Sequence, residues 1–292
     1  MSRIYPSKLL LFGEYTVLNG SQALAIPLPH WKGQWKQFGK AINTEESPLY
    51  AFVDWLKSND LISSATVAHI ISDAEEGWAY VADIPVGYGL GSSGAYVAAL
   101  YDRYITKENS ASPSSALSML AKMEGYFHGS SSGMDPMISY SQEALYKNDH
   151  GGLLTVQDQG WPEGFQVYLL DSNQDRLTGP LVQAYKEYLR DPDFKFKVEH
   201  ELIPFVDHAI HFYMNGSAQM LEENINMISL FQREHFSMMI PDPVKDQWDE
   251  LIEIPGVYVK FCGAGGGGYF QVITTSQSMD TIPGNLINIF KI

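Results

Sequence analysis

Hydrophobic runs of strand length, separated by glycine, proline and polar residues, dominate the first half of the chain. Short runs rich in aliphatic and aromatic residues between such breakers predict β-strands. We predict strands at 8–12, 23–26, 66–72 and 79–86. Helical spacing follows Ser92, and a second helix is predicted from Ser112, where a serine precedes a proline at the first helical position.

After about residue 155 the pattern changes to longer helical periodicities. A strand predicted at 165–170 precedes four helical patterns, at 180–190, 199–214, 217–236 and 243–253. Three further strands are predicted, at 257–261, 269–273 and 286–290. This order lacks the regular strand–helix alternation of a doubly wound sheet, so we expect an α+β fold. The length of 292 residues suits two domains, which we place at 1–160 and 161–292.

Composition narrows the functional classes. The chain is 45% hydrophobic and 18% charged, as expected of a folded globular protein. Its net charge of −15 argues against a nucleic-acid partner, which would require a basic face. The single cysteine, Cys262, allows neither an intrachain disulfide nor a CxxC zinc site. No apolar run approaches the length of about 18 residues needed to cross a membrane, so we expect no membrane partner and a cytoplasmic location.

The segment Gly89–Gly94, GLGSSG, joins a predicted strand to a predicted helix. A glycine-rich loop that opens a helix offers unpaired backbone N–H groups at the positive end of the helix dipole. Serine hydroxyls can complete such a site or ligate Mg²⁺ carried by a nucleotide. We therefore interpret this GLGSSG loop as a phosphate-binding loop. The alternatives are a tight structural turn and a dinucleotide-binding turn, with Glu108 at the distance of the ribose-binding acid.

Two carboxylates, Glu124 and Asp135, bracket a short serine loop, Gly129–Gly133. Such a pair suits a site in which one acid holds a metal and the other accepts a proton. The serine loop also fits the G-x-S-x-G pattern of serine hydrolases, with Ser131 as nucleophile, but that elbow follows a strand and here a helix is predicted. We interpret His128 as a residue favoured at the C-terminal end of a helix rather than as a catalytic one.

A third unusual segment, Gly263–Gly268, has five glycines in six positions between two predicted strands. Glycine weakens a sheet, so such a glycine loop indicates close approach of the backbone to another group. The alternative is a flexible hairpin.

These motifs, in this order, resemble those of the GHMP kinases, the family that includes galactokinase, homoserine kinase and the mevalonate kinases. The segments SKLLLFGE at 7–14 and PVGYGLGSS at 85–93 are similar to its first two motifs, and the glycine loop is similar to its third. The acid block at 124–135 is most similar to that of the mevalonate kinases.

Four residues depart from the pattern of the mevalonate kinases. Tyr15 and Asn19 stand where histidines are frequent, Gly94 where alanine is usual, and Cys262 where threonine is usual. We expect these changes to leave ATP binding intact. The changes at Tyr15 and Asn19 leave the identity of the acceptor alcohol open.

The resemblance implies a two-domain GHMP kinase fold, with an N-terminal mixed α/β domain that carries the phosphate loop and a C-terminal α+β domain. It implies transfer of the γ-phosphoryl group of ATP to a small alcohol similar to mevalonate, with ATP and Mg²⁺ as cofactors, and it allows a homodimer. The alternatives are a GHMP kinase for another acceptor, such as phosphomevalonate or a sugar, and a non-catalytic nucleotide-binding relative.

The resemblance also implies a role for each motif residue. Asp135 would be the general base, and Lys8 would keep Asp135 charged and stabilise the transferred phosphoryl group. The implied ATP-binding residues are Gly87, Gly89, Leu90, Gly91, Ser92, Ser93 and Gly94. The implied Mg²⁺ ligands are Ser93 and Glu124. The implied substrate-binding residues are Glu14, Tyr15, Asp135, Gly263, Ala264 and Gly265, and the glycine loop would pack against both the phosphate loop and the acceptor.

Overall fold

Helices and strands alternate irregularly along the chain, whose computed structural model describes residues 3–40, 47–106, 113–175, 178–275 and 286–290. The strands are β1 Ile4–Phe12, β2 Ala23–Gln37, β3 Trp78–Ala82, β4 Ala144–Lys147, β5 Leu153–Val156, β6 Gln166–Asp171, β7 Val257–Phe261, β8 Tyr269–Thr274 and β9 Leu286–Phe290. The α-helices are α1 Pro48–Ser58, α2 Ser64–Glu75, α3 Ser92–Leu100, α4 Pro113–His128, α5 Met134–Ser141, α6 Thr178–Tyr188, α7 Pro192–Lys197, α8 Ile203–Asn215, α9 Ala218–His235 and α10 Asp242–Ile252. The fold class is α+β, as the sequence predicts.

The described strands form two sheets. One has the order β1-β2-β4-β5, with β3 pairing to β2, and the other has the order β7-β8-β6-β9. Strand β3 runs antiparallel to β2, with Gly33 opposite Ala82. The strand nearest before the GLGSSG loop therefore belongs to no parallel βαβ unit, which makes the dinucleotide-binding alternative wrong. Its proposed acid, Glu108, lies outside the described residues.

The chain divides into two compact units that are interleaved in sequence. Unit 1 consists of Met1–Lys8, Pro27–Pro85 and Gly91–Glu143, and unit 2 of Leu9–Ile26, Val86–Leu90 and Ala144–Ile292. Compact units and sequence domains are different divisions of a chain, so the domain boundary expected at residue 160 stays a prediction.

The core of unit 1 is built on α3, which is rich in small residues and buried over most of its surface. Its buried residues are Gly94, Ala95, Val97, Ala98, Ala99 and Leu100. Small side chains allow other backbone segments to approach a helix closely. A Cβ placed on Gly94 would lie only 2.9 Å from the backbone carbonyl carbon of Asp135. The starts of α3 and α5 are therefore in direct backbone contact.

In unit 2, α9 supplies hydrogen bonds to the edge strand β7. Ser229 accepts from the N–H of Val259 at 3.2 Å, and Gln232 accepts from the N–H of Phe261 at 2.9 Å. Backbone groups buried at a sheet edge need such partners. The strand that leads into the glycine loop is thus held in place on both of its edges, by β8 and by α9.

Two predicted strands need correction. The strand predicted at 79–86 ends at Ala82, in β3. The segment 66–72, predicted as a strand, lies in α2, where buried Thr66, Ile70 and Ala74 recur every four residues. Ser63 caps that helix by accepting from the N–H of Thr66, so local capping decided between helix and strand. The sequence also gave no prediction for α1. Among the described helices none is long and apolar enough to cross a membrane.

Candidate active site

The GLGSSG loop turns directly into α3. Gly91, the residue before the helix, has φ 74° and ψ 38°, a left-handed conformation that favours glycine. A Cβ at this position would also lie 2.8 Å from Cγ of Lys8. The first backbone N–H groups of α3, which begins at Ser92, have no intrahelical acceptors and point out of the helix end. The structure therefore forms the strand-to-helix loop that the sequence predicts for phosphate binding.

Lys8 and Asp135 meet beside the start of α3. The Lys8 ammonium lies 3.2 Å from Oδ2 of Asp135. Lys8, on β1, is 8% exposed at its side chain, and Asp135, in the first turn of α5, is 32% exposed. A Cβ on Gly91 would lie 3.5 Å from the same Asp135 oxygen. The charged pair and the GLGSSG loop are thus neighbours within unit 1, with the carboxylate open to solvent and the ammonium largely enclosed.

Glu124 is the second carboxylate of this site. It lies on α4 and is 3% exposed. Burial, and then the charge of neighbouring Asp135, raises the pKa of Glu124 to about 8, against the opposing effects of hydrogen bonds from Ser131 and Ser93 and the charge of Lys8. Two acids and one ammonium share this small volume, which is a typical arrangement for a functional site.

Ser93 connects the GLGSSG loop to α4. Its hydroxyl is hydrogen-bonded to Nε2 of His128 at 3.0 Å. The same hydroxyl lies near enough to Glu124 to lower the pKa of that carboxyl. His128 therefore contacts the site, a role that its position at a helix end did not indicate.

The serine loop is not a hydrolase elbow. The helix α4 precedes it, where a nucleophile elbow has a strand. The Ser131 hydroxyl donates to Glu124 and accepts from the N–H of Gly133. A serine hydrolase pairs its nucleophile with a histidine, and here Nε2 of His128 is hydrogen-bonded to Ser93. The serine hydrolase alternative is therefore wrong.

In unit 2 the glycine loop is held by backbone hydrogen bonds. The N–H of Gly266 donates to the carbonyl of Met239 at 2.6 Å, and that of Gly268 donates to the carbonyl of Gln174 at 2.7 Å. A Cβ on Gly268 would lie 2.7 Å from Cα of Tyr88, in the segment that leads into the GLGSSG loop. Only glycine allows this approach. The loop joins the antiparallel strands β7 and β8, so it is a hairpin as the alternative expects, but its hydrogen bonds and close contacts argue against the flexible part of that alternative.

Glu14 and Tyr15, both expected to contact substrate, are buried in unit 2. Nζ of Lys260 donates to Oε1 of Glu14 and to the carbonyl of Phe261. The Tyr15 hydroxyl donates to the carbonyl of Ala264, and its ring packs 4.8 Å from that of Tyr185, centroid to centroid. The glycine loop and the first motif are therefore joined through protein contacts, and the substrate contacts of Glu14 and Tyr15 stay predictions.

Comparisons with known proteins show what this chain is similar to. Residues 62–143 match the family described as GHMP kinases N terminal domain. It is 26% identical over 170 residues to a mevalonate kinase of Pyrococcus abyssi, an alignment that covers 48% of this chain and 49% of the relative. The chain thus spans about half the length of the curated relatives it matches.

Solved structures show the same fold over most of this chain. A mevalonate kinase of L. major in complex with R-mevalonate matches with a TM-score of 0.64 at 16% identity, over 95% of this chain and 88% of that one. A phosphomevalonate kinase of Streptococcus pneumoniae in complex with phosphomevalonate and AMPPNP matches with a TM-score of 0.64 at 15% identity, over 94% and 92%. The GHMP kinase fold expected from the motifs is confirmed.

The donor set of this candidate site fits Mg²⁺. The Ser93 hydroxyl and the Glu124 carboxylate are hard oxygen donors on neighbouring side chains. Mg²⁺ binds through one or two carboxylates and completes its shell with phosphate oxygens and water. These two donors would therefore suit a cation that binds together with a nucleotide. Within the described residues no group of three or more His, Cys, Asp or Glu could hold a metal ion.

The sequence did not predict the contacts that the structure gives to three residues, Lys260, His128 and Ser131. A lysine inside the apolar strand Val257–Phe261 is unusual enough to have signalled a buried ion pair. The G-x-S-x-G pattern singles out Ser131 only for a hydrolase role, and its contact with Glu124 depends on how the loop folds over α4.

Proposed function

We propose that this protein is an ATP-dependent kinase of the GHMP family for a small alcohol, with mevalonate as its acceptor. The observation that carries the proposal is the Lys8–Asp135 pair, at 3.2 Å, beside the helix N-terminus that follows the GLGSSG loop. Phosphoryl transfer depends mainly on positioning and on neutralisation of charge. A carboxylate, an ammonium and a helix N-terminus at one place supply both. The names of the relatives and the motif similarity favour mevalonate.

In the proposed reaction, Asp135 accepts the proton of the acceptor hydroxyl. The hydroxyl oxygen forms a bond to the γ-phosphorus of ATP, the bond from that phosphorus to the β–γ bridging oxygen breaks, and ADP leaves with the bond's electrons. Lys8 stabilises the negative charge on the transferred group. Backbone N–H groups at Gly91–Gly94 bind phosphate oxygens. Ser93 and Glu124 would hold Mg²⁺, which when bound neutralises phosphate charge.

In unit 2 we assign the glycine loop, through Gly263, Ala264 and Gly265, to the acceptor. We also propose a cytoplasmic location, a homodimer and a domain boundary at residue 160. Phosphomevalonate and sugars are the competing acceptors, since structural relatives bind phosphomevalonate and galactose.

The test is ADP release in a coupled assay with Mg·ATP and, in separate reactions, mevalonate, phosphomevalonate, galactose or no acceptor. We expect ADP only with mevalonate, and ³¹P NMR should show one new phosphomonoester. Asp135→Asn should lower kcat by about 10²–10⁴-fold, and Lys8→Met by at least about 10²-fold. Lys122→Met, which changes an exposed lysine of α4, is the matched control and should leave kcat unchanged.

The outcomes separate the candidates. ADP release with phosphomevalonate or galactose alone would replace the acceptor and keep the kinase. A wild-type chain that binds Mg·ATP and turns over none of the three acceptors would favour the non-catalytic relative. Full activity of Asp135→Asn would remove Asp135 as the base.

A further inference from the structure

The three consecutive serines of the serine loop have different surroundings. Ser130 is exposed. Ser132 is also exposed, and its hydroxyl accepts from the N–H of Met134 at 3.3 Å, at the start of α5. Ser131 is partly buried, and of the three it is the one whose hydroxyl contacts Glu124. Identical residue types thus occupy three distinct positions, and one of them touches the acid assigned to magnesium.

The direction of the hydrogen bonds at Ser131 follows from its partners. The N–H of Gly133 can only donate, and it lies 2.9 Å from Oγ of Ser131. The hydroxyl oxygen therefore accepts from the backbone, and its hydrogen is available to Oε2 of Glu124 when that carboxylate is ionised, as it is when it holds a cation. The loop backbone fixes the hydroxyl, and the hydroxyl in turn holds one oxygen of the carboxylate.

Gly133 is itself held firmly. It is the residue before α5, and a Cβ there would lie 2.9 Å from the carbonyl oxygen of Leu117 on α4. The helix that begins after Gly133 carries Asp135. A continuous set of contacts therefore runs from Glu124 through Ser131 and Gly133 to the start of the helix that carries Asp135.

We propose that Ser131 is a positioning residue that holds the Glu124 carboxylate in the orientation that binds the divalent cation of a metal–nucleotide complex. The inference rests on the proposed function, because it takes Glu124 as a cation ligand. Groups that hydrogen-bond a metal ligand fix its orientation, and their loss typically weakens metal binding by about 10–100-fold. A carboxylate free to rotate must be ordered when the cation binds, and this ordering opposes binding.

The experiment measures binding of Mn²⁺, a paramagnetic probe for the Mg²⁺ site, to the full chain in the presence of ADP by electron paramagnetic resonance. We compare the wild type with Ser131→Ala, Ser131→Thr and the matched control Ser130→Ala. Ser131→Ala should bind Mn²⁺ about 10–100-fold more weakly. Ser131→Thr keeps the hydroxyl and should recover most of the affinity, and Ser130→Ala should match the wild type.

A parallel titration with ADP in EDTA distinguishes positioning from general damage. We expect Ser131→Ala to bind metal-free ADP as the wild type does. Equal weakening with and without the cation would place the defect in the loop as a whole and overturn the inference, as would Mn²⁺ affinity equal to that of Ser130→Ala, or threonine no better than alanine. If the wild type shows no ADP-dependent Mn²⁺ site, the cation role of Glu124 is wrong, and the inference falls with that part of the proposed function.

Discussion

Gly94 stands at a position where an ordinary stabilising substitution should damage the site. A Cβ there would lie 2.9 Å from the carbonyl carbon of Asp135, 2.9 Å from the nitrogen of Pro136 and 3.0 Å from Cβ of Asp135. Ordinary contacts of a Cβ begin near 3.4 Å. Gly94→Ala therefore requires the start of α5 to move by about 0.5 Å, because the opposing atoms are mostly backbone and cannot rotate away.

The magnitude follows from two opposing effects. Glycine to alanine inside a helix normally stabilises by about 1 kcal/mol, whereas overpacking a buried contact costs about 1–3 kcal/mol. The net change is a loss of about 0–2 kcal/mol. The displacement should also affect catalysis, because a displacement of about 1 Å can lower a rate by about 10²-fold. A shift of half that size at Asp135 predicts a fall in kcat of about 10-fold.

The matched control is Gly125→Ala. Gly125 lies inside α4, and a Cβ there would meet nothing within 4 Å. It should raise the free energy of unfolding by about 0.5–1 kcal/mol and leave kcat unchanged. The two variants are compared by urea unfolding and by the ADP-release assay at saturating substrates. If Gly94→Ala gained as much stability as Gly125→Ala and kept the wild-type kcat, the inferred contact between α3 and α5 would be wrong.

Three further predictions concern buried polar groups. Tyr15→Phe loses the hydrogen bond to the glycine loop and should lower stability by about 1 kcal/mol in urea unfolding, with the acceptor KM rising more than the ATP KM. The pKa of Glu124 is raised to about 8, so between about pH 4.5 and 8 the folded metal-free chain retains a proton that the unfolded chain releases. The free energy of unfolding should therefore fall as the pH rises through this range. Glu124→Gln should flatten this decline in thermal melts. Lys260→Met should lower the free energy of unfolding by about 3–5 kcal/mol, because it removes the ammonium that pairs with the buried Glu14 carboxylate. The added change Glu14→Gln should restore part of this stability.

Most of the fold could be predicted from periodicity. The long helices of the second half lie close to their predicted positions, because their apolar residues recur at helical spacing. The strands β6, β7, β8 and β9 also lie close to their predicted positions, because each is a short run rich in apolar residues. The segment 66–72 could not, since Val, Ile and Ala in a short run fit either a strand or a buried helix face. Its helix is decided by Ser63, which caps α2, and by the burial of one face.

The charged residues that bracket a glycine-rich loop could be predicted from the sequence. The charged residues that lie away from such loops could not. Lys8, Glu124 and Asp135 stand beside such loops, and the structure brings these three together. The buried ion pair of Lys260 with Glu14 joins residues 246 positions apart, so no local pattern records it. Tyr15 shows the same limit: the sequence shows its departure from the related motif, and only the fold shows its hydroxyl bound to the glycine loop.

The balance of charge at the site bears on how a nucleotide binds. Lys8 contributes one positive charge, and Glu124 and Asp135 together contribute two negative charges when both are ionised. A triphosphate adds further negative charge, so this arrangement disfavours the nucleotide alone. Burial, and then the charge of Asp135, raises the pKa of Glu124, because a buried carboxylate beside another acid is more stable when it holds a proton. A divalent cation between Glu124 and the phosphates would reverse both effects, so on the proposed function proton release from Glu124, cation binding and nucleotide binding are thermodynamically coupled.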